Sequence, residues 1–346
     1  MKAKKIIASF VISLPLALSV CFAAFFASAI GYRPKEPVPA EEAGEEMPRE
    51  SSPRTVLLLG LDAVSESTDV MMLFSFDEGT KSASLLRLPR DTYAELGTEK
   101  EGERRAVKLN SLYARARAAG KTPEVSARAV CTFLSKNLGI AVNDYVLTDL
   151  EGFRKTVDLL GGIPVTLQSD MDYDDDAQDL HIHLRAGTQT LNGEQAEGYV
   201  RFRSGYARGD LGRLEAQEPF LSGAFSAAKK AFSSPASLFS LLPVVMKNVK
   251  TSLSLPAAVS LARSFLKIGK ESLSFPILPG AAVREAAGGA WYYVMNRDAA
   301  KKMLSDLSLR EETAEFDPKG IFGGGASLEI RSVYDADRKQ YEPNDP

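Results

Sequence analysis

Lys2, Lys4 and Lys5 stand ahead of 25 consecutive uncharged residues, Ile6 to Ile30. As a helix such a run extends about 37 Å, enough to cross a hydrocarbon core with some tilt. It predicts one transmembrane helix whose lysine end stays in the cytoplasm, which puts everything after Ile30 outside the cell. A cleaved signal peptide is the competing reading, because Ala27-Ser28-Ala29 resembles a cleavage site. The apolar stretch exceeds the ~7–15 residues usual in such peptides, which favours an uncleaved anchor. From Gly31 to Arg54 the chain is rich in Pro, Glu and Ala, a solvated spacer between membrane and folded domain.

The net charge of −3 hides an uneven arrangement. Residues 1–30 carry +3, residues 31–54 carry −2 and residues 310–346 carry −4, leaving 30 basic against 30 acidic side chains in 55–309. A neutral folded part without a basic recognition helix excludes a nucleic-acid partner. Its expected extent is one domain over 55–309, followed by an acidic tail, 310–346. Cys21 and Cys131 fall on opposite sides of the expected membrane crossing, so they do not pair, and neither has metal-ligand spacing.

Val56–Leu61, Val70–Phe76 and Ala83–Leu88 are short apolar runs, the last two separated by the turn Asp77-Glu78-Gly79-Thr80. They read as three buried strands in an antiparallel meander. That geometry brings Asp62, at the end of the first, Asp69, at the start of the second, and Arg90, beyond the third, to one edge of the sheet. Read singly, Asp62 and Asp69 are ordinary turn residues. As a facing pair they repel unless a cation lies between them, and Mg²⁺ is the default for phosphate chemistry. Thr122-Pro123-Glu124 predicts a helix start and Gly139 its end. Leu150, Phe153, Val157 and Leu160 mark a second helix, stopped by Gly161-Gly162 and followed by a strand, Ile163–Leu167. Strands alternating with helices predict an α/β fold, an α-β-α layered domain around a central mixed sheet.

Arg201, Arg203 and Arg213, with Gln217, fall within 17 residues of a neutral domain. Guanidinium forks pair bidentately with phosphate oxygens, so the group suggests an anion site; a solvated charged face is the plain alternative. The acidic run Asp170–Asp176 lacks the glycine and closing glutamate of a calcium loop and reads as a solvated loop. His181 and His183 share one face of a short strand without a third metal ligand. Residues 219–270 read as largely helical and apolar, either as core helices or as the wall of a groove for a hydrocarbon chain.

The ordered set LLLGLD (57–62), STDVMML (67–73), LLRLPRDTY (85–93), KLNSLY (108–113), VDLLGGIPV (157–165), LNGEQAEGYVRFR (191–203), DLGRLEAQ (210–217) and FPILPG (275–280) resembles the LytR-CpsA-Psr family. These are membrane-anchored enzymes that attach glycopolymers to bacterial peptidoglycan. The resemblance implies a phosphotransferase at the outer face of a bacterial, Gram-positive cell membrane. Its donor is a glycopolymer on undecaprenyl pyrophosphate, a polyprenyl-pyrophosphate carrier, and its acceptor a sugar hydroxyl of peptidoglycan. The resemblance assigns Asp62 and Asp69 to Mg²⁺. It assigns Arg90, Lys108, Arg201, Arg203, Arg213 and Gln217 to pyrophosphate, with Arg90, Arg201 and Arg203 also catalytic, and Asp210 to orientation. It also selects the groove reading for 219–270. Asp91 is a candidate for deprotonating the acceptor and, equally, for a structural ion pair with Arg90. A lipid-pyrophosphate hydrolase and a noncatalytic envelope scaffold remain the competing functions. One departure stands out: the family usually has Arg-Ser-Asp-Thr where this chain has Ser67-Thr68-Asp69-Val70, so one pyrophosphate arginine is missing. Arg87, where the family more often has a small polar residue, is expected either to replace it or to face outward from its strand.

Overall fold

The computed structural model describes residues 54–309, apart from 63–65, 78, 98–103, 177–179, 203–205, 207–208, 232–248, 255–256, 258–260, 262–263, 285–288 and 308. The expected membrane anchor, most of the spacer and the acidic tail lie outside the described residues.

Strands β1 (Arg54–Leu61), β2 (Thr68–Asp77) and β3 (Ser82–Arg87) form the expected meander, each antiparallel to the next. Asp77 closes the turn between β2 and β3 by accepting from the Gly79 amide at 2.8 Å. A hairpin of β4 (Tyr93–Gly97) and β5 (Arg104–Lys108) leads to helices α1 (Ser111–Ala118) and α2 (Pro123–Leu138). Strand β6 (Asp144–Thr148), helix α3 (Leu150–Leu159) and strand β7 (Ile163–Leu167) follow. Then come a hairpin of β8 (Met171–Asp175) and β9 (Leu180–Leu184), strand β10 (Gly187–Leu191), and helices α4 (Gly193–Arg201), α5 (Gly209–Ala216) and α6 (Glu218–Ala231). Strand β11 (Val249–Thr251), a 3₁₀ turn (Lys270–Ser272), strand β12 (Leu273–Ser274), a hairpin of β13 (Gly280–Arg284) and β14 (Trp291–Met295), and helix α7 (Arg297–Asp306) complete the described elements.

The central sheet has the order β11-β6-β1-β2-β3-β12 and is mixed: β6 runs parallel to β1 and β12 parallel to β3, while the remaining pairs are antiparallel. Strands β1, β2, β3 and β6 are buried along nearly their whole length because both faces of the sheet are covered. Val56 and Leu58 point into a core shared with Phe153 of α3, Val200 of α4 and Phe220 of α6. Leu57 and Leu59, one residue out of phase, point into a second core with Tyr113 of α1, Leu134 of α2 and Leu304 of α7. The period-two alternation therefore builds helix layers on both sides of one sheet, as the sequence predicted.

The α2 boundaries follow the predicted chemistry. Thr122 accepts from the Val125 amide at 3.4 Å, Pro123 sits in the first turn, and Gly139 at φ 62° ends the helix in the left-handed region glycine tolerates. After α3, Gly162 at φ 86° lies so close to β10 that a Cβ would come within 2.9 Å of the Leu191 carbonyl oxygen.

Two segments differ from expectation, and a third keeps one of its two readings in part. Met171–Asp175, expected as a loop, is a strand: Met171 is buried, and Asp172 and Asp174 pair opposite His183 and His181 on β9. A cross-strand partner supplied that order where composition suggested solvent. Val249–Thr251, inside the stretch expected to be helical, is an edge strand on β6. In α6, Phe220, Leu221, Ala224 and Phe225 pack into the first core, as core-helix side chains do, while residues 232–248 lie outside the described residues.

Candidate functional site

One backbone relay joins the two ends of the meander. The Asn110 amide donates to the Arg90 carbonyl at 3.0 Å, and the Thr68 amide donates to the Asn110 carbonyl at 3.1 Å. The KLNSLY segment thus clamps the start of β2 to the loop beyond β3. Just beyond β1, the Asp62 amide donates to the Ser67 carbonyl at 2.9 Å. The register shift at Gly60/Leu61 puts Leu61 opposite Thr68. These ties bring Asp62, Asp69 and Arg90 to one end of the sheet, as expected, and all three are buried. Arg90 Nη1 donates to Asp69 Oδ1 at 3.2 Å.

Asp91 is more open. Its Oδ2 lies 3.0 Å from Lys108 Nζ, whereas its Oδ1 lies 3.9 Å from Arg90 Nε, so its principal ion-pair partner is Lys108 and not Arg90. Asp91 and Lys108 side chains are each about a quarter exposed. The Tyr293 amide holds the Asp91 carbonyl at 2.8 Å, which fixes the loop from a third direction.

Of the arginine group, Arg201 ends α4 and Arg213 lies in α5, and both are buried. Arg201 Nη1 donates to Glu197 Oε1 at 2.6 Å, and Arg154 Nη1 donates to Glu197 Oε2 at 2.8 Å. Glu197 is the residue sequence reasoning missed; the Glu-x-x-x-Arg spacing inside LNGEQAEGYVRFR is the signal that carried it, since residues four apart share a helix face. Gln217, 1% exposed, donates through Nε2 to the Val200 carbonyl at 3.3 Å and so joins the α5–α6 junction to α4. Tyr199 reinforces the junction by donating its hydroxyl to the Ala216 carbonyl at 2.7 Å. Arg203 lies outside the described residues; Asp210 falls in the first turn of α5, its side chain undescribed.

Arg87 overturns both of its expected readings. It is neither an outward strand arginine nor a spare phosphate cation: it is 2% exposed, and its two terminal nitrogens donate to the carbonyls of Leu214 and Phe275. Burial pulls its pKa down to about 10, against the opposing pull of Glu218 and Glu215, and still leaves it charged at neutral pH. The reason for the miss is register. Arg87 stands opposite Met72, whose side chain lies in the first core with Leu214 of α5 and Phe220 of α6, while the residues at the phosphate end begin beyond the strand.

Among the described residues no group of three or more His, Cys, Asp and Glu side chains gathers as a metal cluster. The sheet end nevertheless carries two buried carboxylates, Asp62 and Asp69, the second paired with Arg90. That set fits Mg²⁺, which takes one or two carboxylates and fills its remaining positions with water and substrate phosphate oxygens. It is a poor site for a cation alone and a suitable one for a cation shared with an anion.

The sequence matches the LytR_cpsA_psr family over residues 28–308. TagU of Bacillus cereus, a polyisoprenyl-teichoic acid–peptidoglycan teichoic acid transferase, is 31% identical over 259 residues, covering 74% of this chain and 78% of its own. Among solved structures, a protein from Streptococcus agalactiae shares the fold at a TM-score of 0.66 and 20% identity, over 83% of this chain and 96% of that one. TagT bound to LIIa-WTA superposes at 0.60 with 26% identity, over 77% and 94% of the two chains.

Proposed function

This chain belongs to the LytR_cpsA_psr family, and from that premise we propose that it moves a cell-wall glycopolymer from a polyprenyl-pyrophosphate carrier to a peptidoglycan sugar hydroxyl, with Mg²⁺. The observation that carries the reading is the buried Asp62, Asp69 and Arg90 cluster. Burying charge is costly, and apolar residues would pack a sheet end at least as well. A multiply charged phosphate anhydride is a ligand for which such a cluster is suited. The transferase relative supports the same reaction class.

In this reaction the acceptor hydroxyl oxygen attacks the polymer-bearing phosphorus, the anhydride P–O bond breaks, and polyprenyl phosphate leaves. The anhydride itself supplies the driving force, so the protein's work is positioning and charge neutralisation. Asp91 receives the hydroxyl proton; its partial exposure gives it access to an acceptor, and Lys108 orients it. Arg90 and Arg213, with Arg201 swung from Glu197, face the developing charge on phosphate oxygens; Arg203 and Gln217 are assigned to the same anion and Asp210 to orientation by family likeness. Asp62 and Asp69 would hold Mg²⁺, which would supply neutralising charge to the phosphate oxygens.

The test is product analysis with the full chain, a lipid-pyrophosphate glycan donor and peptidoglycan. Transfer predicts polyprenyl phosphate release that requires the acceptor. Release without acceptor identifies a hydrolase, and donor binding without release identifies a scaffold.

A further inference from the structure

The proposed donor site is assembled from segments far apart in sequence: Asp62, Asp69 and Arg90 around the meander, and Arg213 and Gln217 at the α5–α6 junction. Something must hold the second set against the first. Arg87 does so physically. It ends β3, three residues before Arg90, and its guanidinium reaches 127 residues along the chain to the Leu214 carbonyl. Leu214 O belongs to the last turn of α5, where the Gln217 amide reaches it at a long 3.4 Å and the helix dipole favours a cation. The other terminal nitrogen holds Phe275 O, and the Arg87 backbone pairs with the same segment, its amide to Pro276 O at 2.8 Å and its carbonyl from the Leu278 amide at 2.9 Å. The ion pair to Glu218 at 3.7 Å is a minor addition, because the Glu218 side chain is 60% exposed.

We propose that Arg87 is a positioning residue for the donor site: it pins the C-terminal turn of α5, and with it Arg213 and Gln217, to the strand that delivers Arg90. The role rests on the pyrophosphate-transfer reading for its functional consequence, though the tether itself does not. A planar fork with two separate donors is required, since a lysine ammonium at the same place serves one carbonyl at a time. Tyr199 and Gln217 tie α5 to α4, and Arg87 ties α5 to the sheet.

The experiment compares the full-length parent with Arg87→Met and Arg87→Lys, using a farnesyl-pyrophosphoryl disaccharide as donor and amide hydrogen exchange as a second readout. In Arg87→Met the amides of 213–217 should exchange at least tenfold faster than in the parent, with strands β1 and β2 unchanged. The donor KM should rise at least fivefold, more than kcat falls, and Arg87→Lys should be intermediate in both. A prop that merely supports the fold would accelerate exchange throughout and lower kcat through a smaller active fraction at constant KM; that pattern overturns the proposal. Unchanged exchange at 213–217, or faster exchange there with an unchanged KM, overturns it as well. A parent that does not turn the donor over sinks the functional reading instead, and the exchange comparison still decides the tether.

Discussion

Asp69 and Arg90 pair at 3.2 Å with side chains 4% and 6% exposed, while Asp170 and Arg185 pair at 2.7 Å with side chains 46% and 73% exposed. The two regions, the end of the central sheet and the β8–β9 hairpin, use the same residue types, and the hairpin makes the shorter contacts. His181 Nδ1 lies 2.7 Å from Asp174 Oδ1, and His183 Nδ1 lies 3.0 Å from Asp172 Oδ1. Distance is nevertheless a poor guide to consequence. Water screens the hairpin pairs, so forming or breaking them changes little. The Asp69–Arg90 pair has given up its hydration, so removing one partner leaves the other a buried charge with less compensation. Buried charge is therefore where this molecule commits itself, and the hairpin is where charge is decoration.

The largest effect should come from Asp69. Asp69→Ala should abolish Mg²⁺-dependent turnover, and because Arg90 would be left buried beside it, the variant should also lose about 3–5 kcal/mol of stability by chemical denaturation. Asp69→Asn, which keeps shape and one acceptor, is the cleaner probe of chemistry. Normal turnover of either variant under chelator control would break the contrast between the two regions.

Next comes the Glu197 cluster. Arg201→Lys should weaken donor binding by about 1.5–3 kcal/mol, since a point charge cannot replace a fork. Glu197→Ala should destabilise the fold more than Arg154→Ala, because the Arg154 side chain is 45% exposed and that of Glu197 only 7%. Equal melting temperatures for the two variants would show that burial does not rank these contacts.

Cys131 should give a smaller effect that sharpens the same point. Burial pushes its thiol up to about 12. At pH 8 the folded chain should resist alkylation that the denatured chain undergoes, and mass spectrometry reads this directly. The sign follows from linkage: the unfolded thiol ionises first, so its share of stability is complete below the ordinary thiol pKa and is lost as pH rises through the alkaline range.

Smallest of all is the hairpin. The hydrogen bond from His181 is the main reason the Asp174 carboxyl titrates below its ordinary range. A lowered carboxylate contributes stability above that range and loses it as pH falls through the folded value. His181→Asn should return the carboxyl toward its ordinary value by NMR titration, yet leave the melting temperature at neutral pH and the turnover essentially unchanged. A marked loss of turnover would mean that the hairpin belongs to the site.

What was readable in the sequence follows the same division. The meander, α2 with its Thr122 and Gly139 ends, and the convergence of Asp62, Asp69 and Arg90 were readable because each rests on local pattern: short apolar runs, cap residues and tight turns. β6 and β11 were not, because Asp144–Thr148 and Val249–Thr251 become strands by pairing with partners distant in sequence. The Asp170–Asp176 run was misread for the same reason, its order coming from β9. Arg87 was misassigned because only tertiary packing supplies the Leu214 and Phe275 carbonyls, and Glu197 was overlooked because a glutamate on a polar helix face is usually solvated. Local chemistry located the acidic half of the site; long-range contacts decide how its arginines are held.

Titration calorimetry of the full chain with inorganic pyrophosphate, with and without Mg²⁺, in parallel with Asp69→Asn, asks directly whether the buried sheet end is a shared cation and anhydride site. The parent should bind Mg²⁺ weakly alone and pyrophosphate at least tenfold more tightly when Mg²⁺ is present, and Asp69→Asn should lose that coupling while remaining folded. Pyrophosphate binding that is indifferent to Mg²⁺ and to Asp69→Asn would contradict it.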